Sequence, residues 1–424
     1  MLPFSSEGGH LSITMHDYSE QDKFLQVISV NFPETIKFMW RYEKRCDILN
    51  SNDKNEVKAM NRQFPCLEVH LDRLYHNARQ VISRCEEQGI RVCGVIKGVN
   101  GMPEMAGTMR RAGAVQIGTS RLEQVARCRA AGIEGPFLLI RVPGLTELPD
   151  TVALCDMSLQ SERSTLDALE RECQRQNKTH SVIVMADLGD LREGFWDRDE
   201  FVSACVHVER DLPRVHLAGV GVNLSCYGSI QPTPEKMERL VELARRVEDA
   251  IGRKLEIVSG GATSSYTLVH WHTMPEGINH LRIGENILLG YDLQKLWHIQ
   301  DMDYLRTDTF TLTAEVIEVR EKPSYPQGQF CIDAFGHKPV YEDRGIRRRA
   351  LLALGRADVG ELESLMPRET GITVVGGSSD HCILDVTECP RRLEVGDTVS
   401  FSLCYSHLLY LTGREDVHVT FTGM

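Results

Sequence analysis

Arg91-Val-Cys-Gly-Val-Ile-Lys97-Gly-Val-Asn-Gly101 is a short apolar run that ends on a single lysine, with glycines close behind it. A run of this length reads as a buried strand. At its end the strand would carry Lys97 to the mouth of a barrel, where partial desolvation favours a neutral, nucleophilic amine. A Schiff-base lysine has that requirement. The plainer reading is a strand that stops at a solvated lysine, and the tract alone leaves both open.

Working outward, similar apolar runs recur at 93–97, 115–118, 136–142, 157–160, 181–187, 215–224, 255–259 and 281–289. Helical patterns lie between them at 102–112, 121–131, 161–176, 197–210 and 233–252. The last is the clearest, with Met237, Leu240, Val241, Leu243, Ala244, Val247 and Ile251 on one broad face. Thr233 is suited to cap its start and Gly252 to end it. Alternating strands and helices imply a parallel sheet. Eight runs across residues 65–304 suit an α/β fold of the (β/α)8 TIM-type barrel class. An open, doubly wound sheet is the alternative arrangement of the same pattern.

From about residue 305 the helical periodicity fades. Thr309-Phe-Thr-Leu-Thr-Ala-Glu-Val-Ile-Glu-Val319 alternates and is rich in β-formers. Further strands are expected at 329–334, 350–355, 372–376, 382–386, 398–404 and 417–422, with Gly, Pro and Asp turns between them. Residues 305–424 therefore read as a C-terminal β domain following the barrel. Residues 1–64 read as an N-terminal extension without an assigned role. Within it, Ser19-Glu-Gln-Asp22 ahead of Phe24, Leu25, Val27 and Ile28 is suited to open a short amphipathic helix.

A chain of 424 residues exceeds one ordinary core, which also points to two domains. A net charge of −12 argues against a general nucleic-acid binder. The 13 cysteines are scattered without a C-x-x-C pair, the pattern of reduced thiols in a cytoplasmic protein. The first residues lack a basic start and a long apolar run, and no stretch approaches the roughly 18 apolar residues of a membrane span. Arg344 with Arg347-Arg-Arg349 reads as a solvated basic loop. His270 and His272 have no further ligands at metal-binding spacing, so no metal is expected.

Five segments carry a family resemblance. They are Ala186-Asp-Leu-Gly-Asp-Leu-Arg-Glu-Gly-Phe195, Gly221-Val-Asn-Leu-Ser-Cys-Tyr-Gly228, Ser259-Gly-Gly-Ala-Thr-Ser-Ser265, Met274-Pro-Glu-Gly-Ile-Asn-His-Leu-Arg-Ile-Gly-Glu-Asn-Ile-Leu-Leu-Gly290 and Gly376-Gly-Ser-Ser-Asp-His-Cys-Ile-Leu-Asp-Val386. With Lys97, they resemble the alanine racemase fold group over most of residues 65–415, and within it the ornithine racemases and related amino-acid racemases. The resemblance implies pyridoxal 5'-phosphate as cofactor, an amino-acid substrate, and a head-to-tail homodimer that shares its active sites.

It also implies roles. Lys97 becomes the cofactor-bearing lysine and the proton carrier on one face of the substrate's α-carbon. Arg282 meets the cofactor's pyridine nitrogen, to which a guanidinium donates but cannot hand over a proton. Ser264, with Thr263 and Ser265 beside it, belongs to the phosphate cup, completed by backbone amides at Gly284 and Glu285. Arg192 approaches the cofactor's phenolic oxygen or the substrate carboxylate. Tyr325, offered by a partner subunit, is the candidate proton carrier on the other face. Asn223 replaces a histidine that links to the arginine, and Gly101 replaces a phosphate-binding tyrosine, so one phosphate contact must come from elsewhere. For a basic substrate such as ornithine, Asp190 and Asp380 are the candidate carboxylates. The expected activity is thus a cofactor-dependent, two-base amino-acid racemase. A non-catalytic carrier of the same cofactor and a basic amino-acid decarboxylase are the alternatives; the decarboxylase would draw on Cys331 or Cys404.

Overall fold

Strands without polar faces must be covered on both sides, and closing the sheet on itself does this for one side. In a computed structural model, which describes residues 63–423 apart from 333, 337 and 339, a first strand β1 (Cys66–His70) precedes eight strands that close in this way. These are β2 (Arg91–Val95), β3 (Gln116–Thr119), β4 (Phe137–Leu139), β5 (Met157–Gln160), β6 (His180–Ala186), β7 (Val215–Val222), β8 (Ile257–Ser259) and β9 (His280–Ile283). Each pairs in parallel with the next, and β9 returns to β2. The closure removes the open-sheet alternative. The run at 281–289 is strand only to Ile283; Glu285–Leu288 is a helical turn.

The barrel interior is filled by Cys93, Leu138, Leu159, Ile183, Met185, Ala218 and Ile257. Helices cover the outside. Helix Pro234–Ile251 buries Met237, Leu240, Val241, Leu243, Ala244 and Val247. Burying the larger of these side chains is worth about 1.5–3 kcal/mol each, far more than any helix propensity. The Thr233 hydroxyl accepts the Lys236 N–H at 3.4 Å, and Gly252 ends the helix at φ 79°, as the capping residues imply.

The second part is an eight-stranded sheet. It contains β10 (Phe310–Pro323), β11 (Ile346–Leu352), β12 (Met366–Pro367), β13 (Thr373–Gly377), β14 (Cys382–Asp385), β15 (Thr398–Ser402) and β16 (His418–Thr422). Its main path runs β12-β15-β10-β11-β14-β13, and β1 joins it between β10 and β16. The described chain thus runs from β1 in the second sheet through helix Leu71–Glu86 and only then enters the barrel. Cys66–His70, grouped with the barrel by sequence, pairs with β-domain strands instead.

Two further expectations change. No strand forms among the described residues of 329–334. Arg347–Arg349 lie in β11 rather than in a loop, and Arg347 bonds Asp385 of β14 at 2.7 Å. The extension read at residues 1–64 and the helix read from Ser19 fall on residues outside the described ones, save 63 and 64.

Candidate active site

The C-terminal ends of the barrel strands surround a cavity of about 390 Å³. Loops at this end vary without disturbing the packed interior, which suits it to chemistry. Lys97 follows β2 and opens the tight turn Lys97–Val99. Its pKa is lowered, by burial above all; Arg192 and Arg282 push the same way, while Cys226 and Glu193 oppose them. A lowered pKa is what makes an amine a nucleophile near neutral pH.

The turn after Lys97 has no room for a side chain at Gly98 or Gly101. Gly101 sits at φ +66°, and a Cβ there would lie 2.4 Å from the Gln124 Cβ. The tyrosine that the resemblance implies at this position has no space in this turn. A different tyrosine lines the cavity: Tyr405, the first residue of helix Tyr405–Leu411 beyond β15. Its ring rests on Gly98, where a Cβ would come within 2.7 Å of the ring. Burial, then the charges of Cys226, Glu285 and Asp292, push the phenol up to about 12. At neutral pH it is a hydroxyl donor.

Arg282 leaves β9 into the cavity and is only 4% exposed. Its Nη2 donates to the Val222 carbonyl at 2.9 Å and lies 3.5 Å from Asn223 Oδ1, while Nη1 donates to Ser259 Oγ. Ser259 is 2.8 Å from His280 Nδ1, and His280 Nε2 is 3.1 Å from Gln116 Oε1. Burial, then the positive charges of Arg282 and Arg91, push His280 down to about 3, so it is neutral. With Arg282 donating to Ser259, the hydroxyl donates to Nδ1 and the Nε2 proton goes to Gln116. Burial lowers the Arg282 pKa as well, yet a guanidinium stays protonated at any working pH. Asn223 Nδ2 is buried and has no partner. Such an orphan donor costs about 1–3 kcal/mol until an acceptor arrives.

Hydroxyls and amides gather on the neighbouring wall. Thr263 and Ser264 belong to a helical turn after β8. The Gly284 N–H donates to Thr263 Oγ1 at 3.3 Å, and Ser264 Oγ donates to the Leu224 carbonyl at 3.2 Å. Next to them, Glu285 Oε1 accepts the N–H groups of Tyr291 and Asp292 at 3.2 and 3.0 Å. Glu285 Oε2 and Asp292 Oδ1 have no partner. Burial lifts both carboxyl groups, Asp292 to about 6 and Glu285 to about 8, the latter helped by the Asp292 charge.

A family model described as "Alanine racemase, N-terminal domain" matches residues 69–292. A lysine racemase of Thermotoga maritima is 41% identical across 82% of this chain and 95% of its own length. An ornithine racemase of Acetoanaerobium sticklandii is 35% identical across 82% and 96%. The chain belongs to the alanine racemase family. This racemase is an isomerase, as the sequence implied, which sets aside the carrier and decarboxylase alternatives. An alanine racemase of Clostridium difficile 630 in complex with cycloserine shares the fold, with a TM-score of 0.66 over 86% of this chain and 97% of that one at 16% identity.

The racemase cavity brings together Lys97, Arg192, Asn223, Thr263, Ser264, Arg282, Gly284 and Glu285. Four residues named from sequence lie elsewhere. The Ser265 hydroxyl is fully buried and donates to the Gly260 carbonyl at 2.7 Å. Asp190 is 2% exposed and accepts the N–H groups of Tyr227 and Gly228 at 3.2 and 3.1 Å, so it ties two loops together. Asp380 is exposed in the β13–β14 turn, bonded to Ser379 Oγ at 2.8 Å. Tyr325 lies beyond β10, 41% exposed, with its ring against Phe330 and Tyr341 at 5.5 and 6.5 Å. Conversely, Glu193, Cys226, Asp292 and Tyr405 line the cavity without having been singled out. Glu193 and Cys226 stood inside quoted segments, next to residues with roles; Tyr405 and Asp292 had no local pattern to mark them.

Proposed function

We propose that this racemase interconverts the L- and D-forms of a basic amino acid, ornithine or lysine, with pyridoxal 5'-phosphate as cofactor. One observation carries the reading: a lysine whose ammonium is disfavoured by burial shares a cavity with a permanently charged arginine and a hydroxyl-lined cup. The donor set fits the cofactor. Lys97 would hold its aldehyde carbon, Arg282 its ring nitrogen, and Thr263, Ser264 and the amides of Gly284 and Glu285 its phosphate. Tyr405 would supply the phosphate contact that Gly101 cannot. The orphan amide of Asn223 supports the fit, since it lacks an acceptor in the protein itself. When bound, the cofactor supplies a conjugated system that stabilises negative charge at the substrate's α-carbon.

The protein's residues do the rest. The Lys97 amine takes or returns the α-proton on one face. The partner subunit's Tyr325 serves the other face, which requires a head-to-tail homodimer; its exposed, partner-ready position supports this. Arg192, held by Glu193 with Nη2 to Oε1 at 2.6 Å, orients the substrate carboxylate. Arg282 keeps its proton, which makes the ring a modest electron sink and favours reprotonation of the same carbon over side reactions. Residues 65–304 would bind the cofactor, residues 305–424 would close the neighbouring subunit's site, and the enzyme would work in the cytoplasm among reduced thiols. The names of the two long relatives support the choice of basic substrates.

Lys97→Ala tests the reading. The variant is expected to lose the visible absorbance of lysine-linked cofactor and its racemisation of ornithine and lysine together. Racemisation at the wild-type rate in that variant would refute the proposal.

A further inference from the structure

Of the carboxylates expected to meet a basic side chain, Asp190 is taken up by loop amides and Asp380 lies outside this cavity, and the cavity wall supplies two others. Glu285 and Asp292 both line the chamber that Lys97 enters. Glu285 is 7% exposed, and one of its oxygens is pinned by two backbone N–H groups. Its second oxygen has no partner, and neither has Asp292 Oδ1. Tightly positioned carboxylates with spare acceptor capacity are costly in an apolar wall unless a cation or a proton joins them.

We infer that Glu285 and Asp292 together form the subsite that receives the distal ammonium of the basic substrate. The assignment rests on the racemase reading above. A primary ammonium carries three donors and no acceptor, so one such group has donors enough for both carboxylates. A neutral side chain of the same length leaves them unanswered, and discrimination follows from that difference. The groups facing the pair are Tyr405 from the C-terminal segment and Tyr291 from the pair's own segment. Neither brings a permanent positive charge. Without substrate the pair therefore retains a proton near neutrality, in keeping with its raised pKa values. An arriving ammonium displaces that proton, so binding of a basic substrate releases a proton to solvent.

The test uses the full-length enzyme with added cofactor and two substrate pairs, ornithine against norvaline and lysine against norleucine. Wild-type enzyme is expected to prefer the basic member, and its preference should grow as pH rises from 6 to 8, because the pair then loses its competing proton. Asp292→Asn and Glu285→Gln should each reduce the preference in kcat/KM by roughly 10- to 100-fold, the size of a lost charged hydrogen bond. Both should flatten its pH dependence. Cofactor retention on dialysis is measured alongside. Preference ratios equal to wild type in both variants, with or without weaker cofactor retention, would assign the pair to the phosphate cup or to folding and overturn the inference. A wild-type enzyme that racemises neither basic amino acid would instead sink the proposed function, so the two failures are distinguishable.

Discussion

At the scale of single residues, the cavity is a set of opposed electrostatic choices. Burial pushes Lys97 toward its neutral amine, while Arg282, although more deeply buried, stays charged because guanidinium deprotonates only at extreme pH. His280 makes the second choice workable: its neutral ring holds Ser259, which in turn holds Arg282. Protonating His280 would place a second cation beside Arg282 and remove the acceptor that Ser259 uses. The folded-state pKa values of His280 and His180, about 3 and about 4, lie below the ordinary 6.5. Below pH 6.5 the unfolded chain therefore takes up protons that the folded chain refuses. Stability that is complete above pH 6.5 is expected to fall as pH drops toward 4, by up to roughly 1.4 kcal/mol per pH unit for each histidine. Urea unfolding between pH 7.5 and 4.5 measures this slope, and His280→Gln should make it shallower. A slope equal to that of wild type would mean that His280 is not held neutral by the fold.

At the scale of elements, the active lysine depends on the turn that follows it. β2 delivers Lys97, and Asn100 and Gly101, at φ 48° and 66°, bend the chain away into helix Pro103–Arg111. Gly101→Ala would place a side chain in a conformation that L-residues avoid and drive it into Gln124. A loss of about 1–3 kcal/mol in stability is expected, together with weaker cofactor retention, because Lys97 sits on the same turn. Thermal unfolding and dialysis check both effects; a melting temperature equal to wild type would show that the turn relaxes freely. The elements themselves were largely legible in the sequence. Every barrel strand coincides with an apolar run, and the helix from Pro234 begins and ends at the residues suited to cap it. Local periodicity and capping are written within a few residues. The exceptions mark where local pattern runs out: Phe330 to Ile332 are apolar enough for a strand but remain irregular and exposed.

At the scale of the whole molecule, the two sheets are interleaved rather than strung together. β1 holds the start of the described chain against β10 and β16, and Tyr405 reaches from the last helix into the barrel cavity. The same chain's C-terminal segment thus lines part of the site, while Tyr325 is exposed outside it. If Tyr325 serves a partner, each site combines Lys97 of one subunit with Tyr325 of the other. Lys97→Ala and Tyr325→Phe should each be inactive as homodimers. Dissociated, mixed and reassociated, they should recover up to about one quarter of wild-type activity, because half of the random dimers carry one intact site of two. Mixtures no more active than either parent would show that the two residues act within one subunit.

What the sequence by itself determined is the alternation that builds a barrel, the lysine at the end of its first strand, and the arginine and hydroxyl turn at the end of its last two. The alternation is a short-range pattern set by side-chain periodicity, while the lysine, the arginine and the hydroxyls were marked by segments that resemble the family. Only the tertiary structure decided that the sheet closes, that β1 belongs to the other sheet, that Asp190 ties loops together, and that Tyr405, Glu285 and Asp292 face the cavity with Lys97. Gly98 and Tyr405 touch across some three hundred residues of chain. A contact of that kind leaves no periodic trace, because it is imposed by packing and not by neighbours.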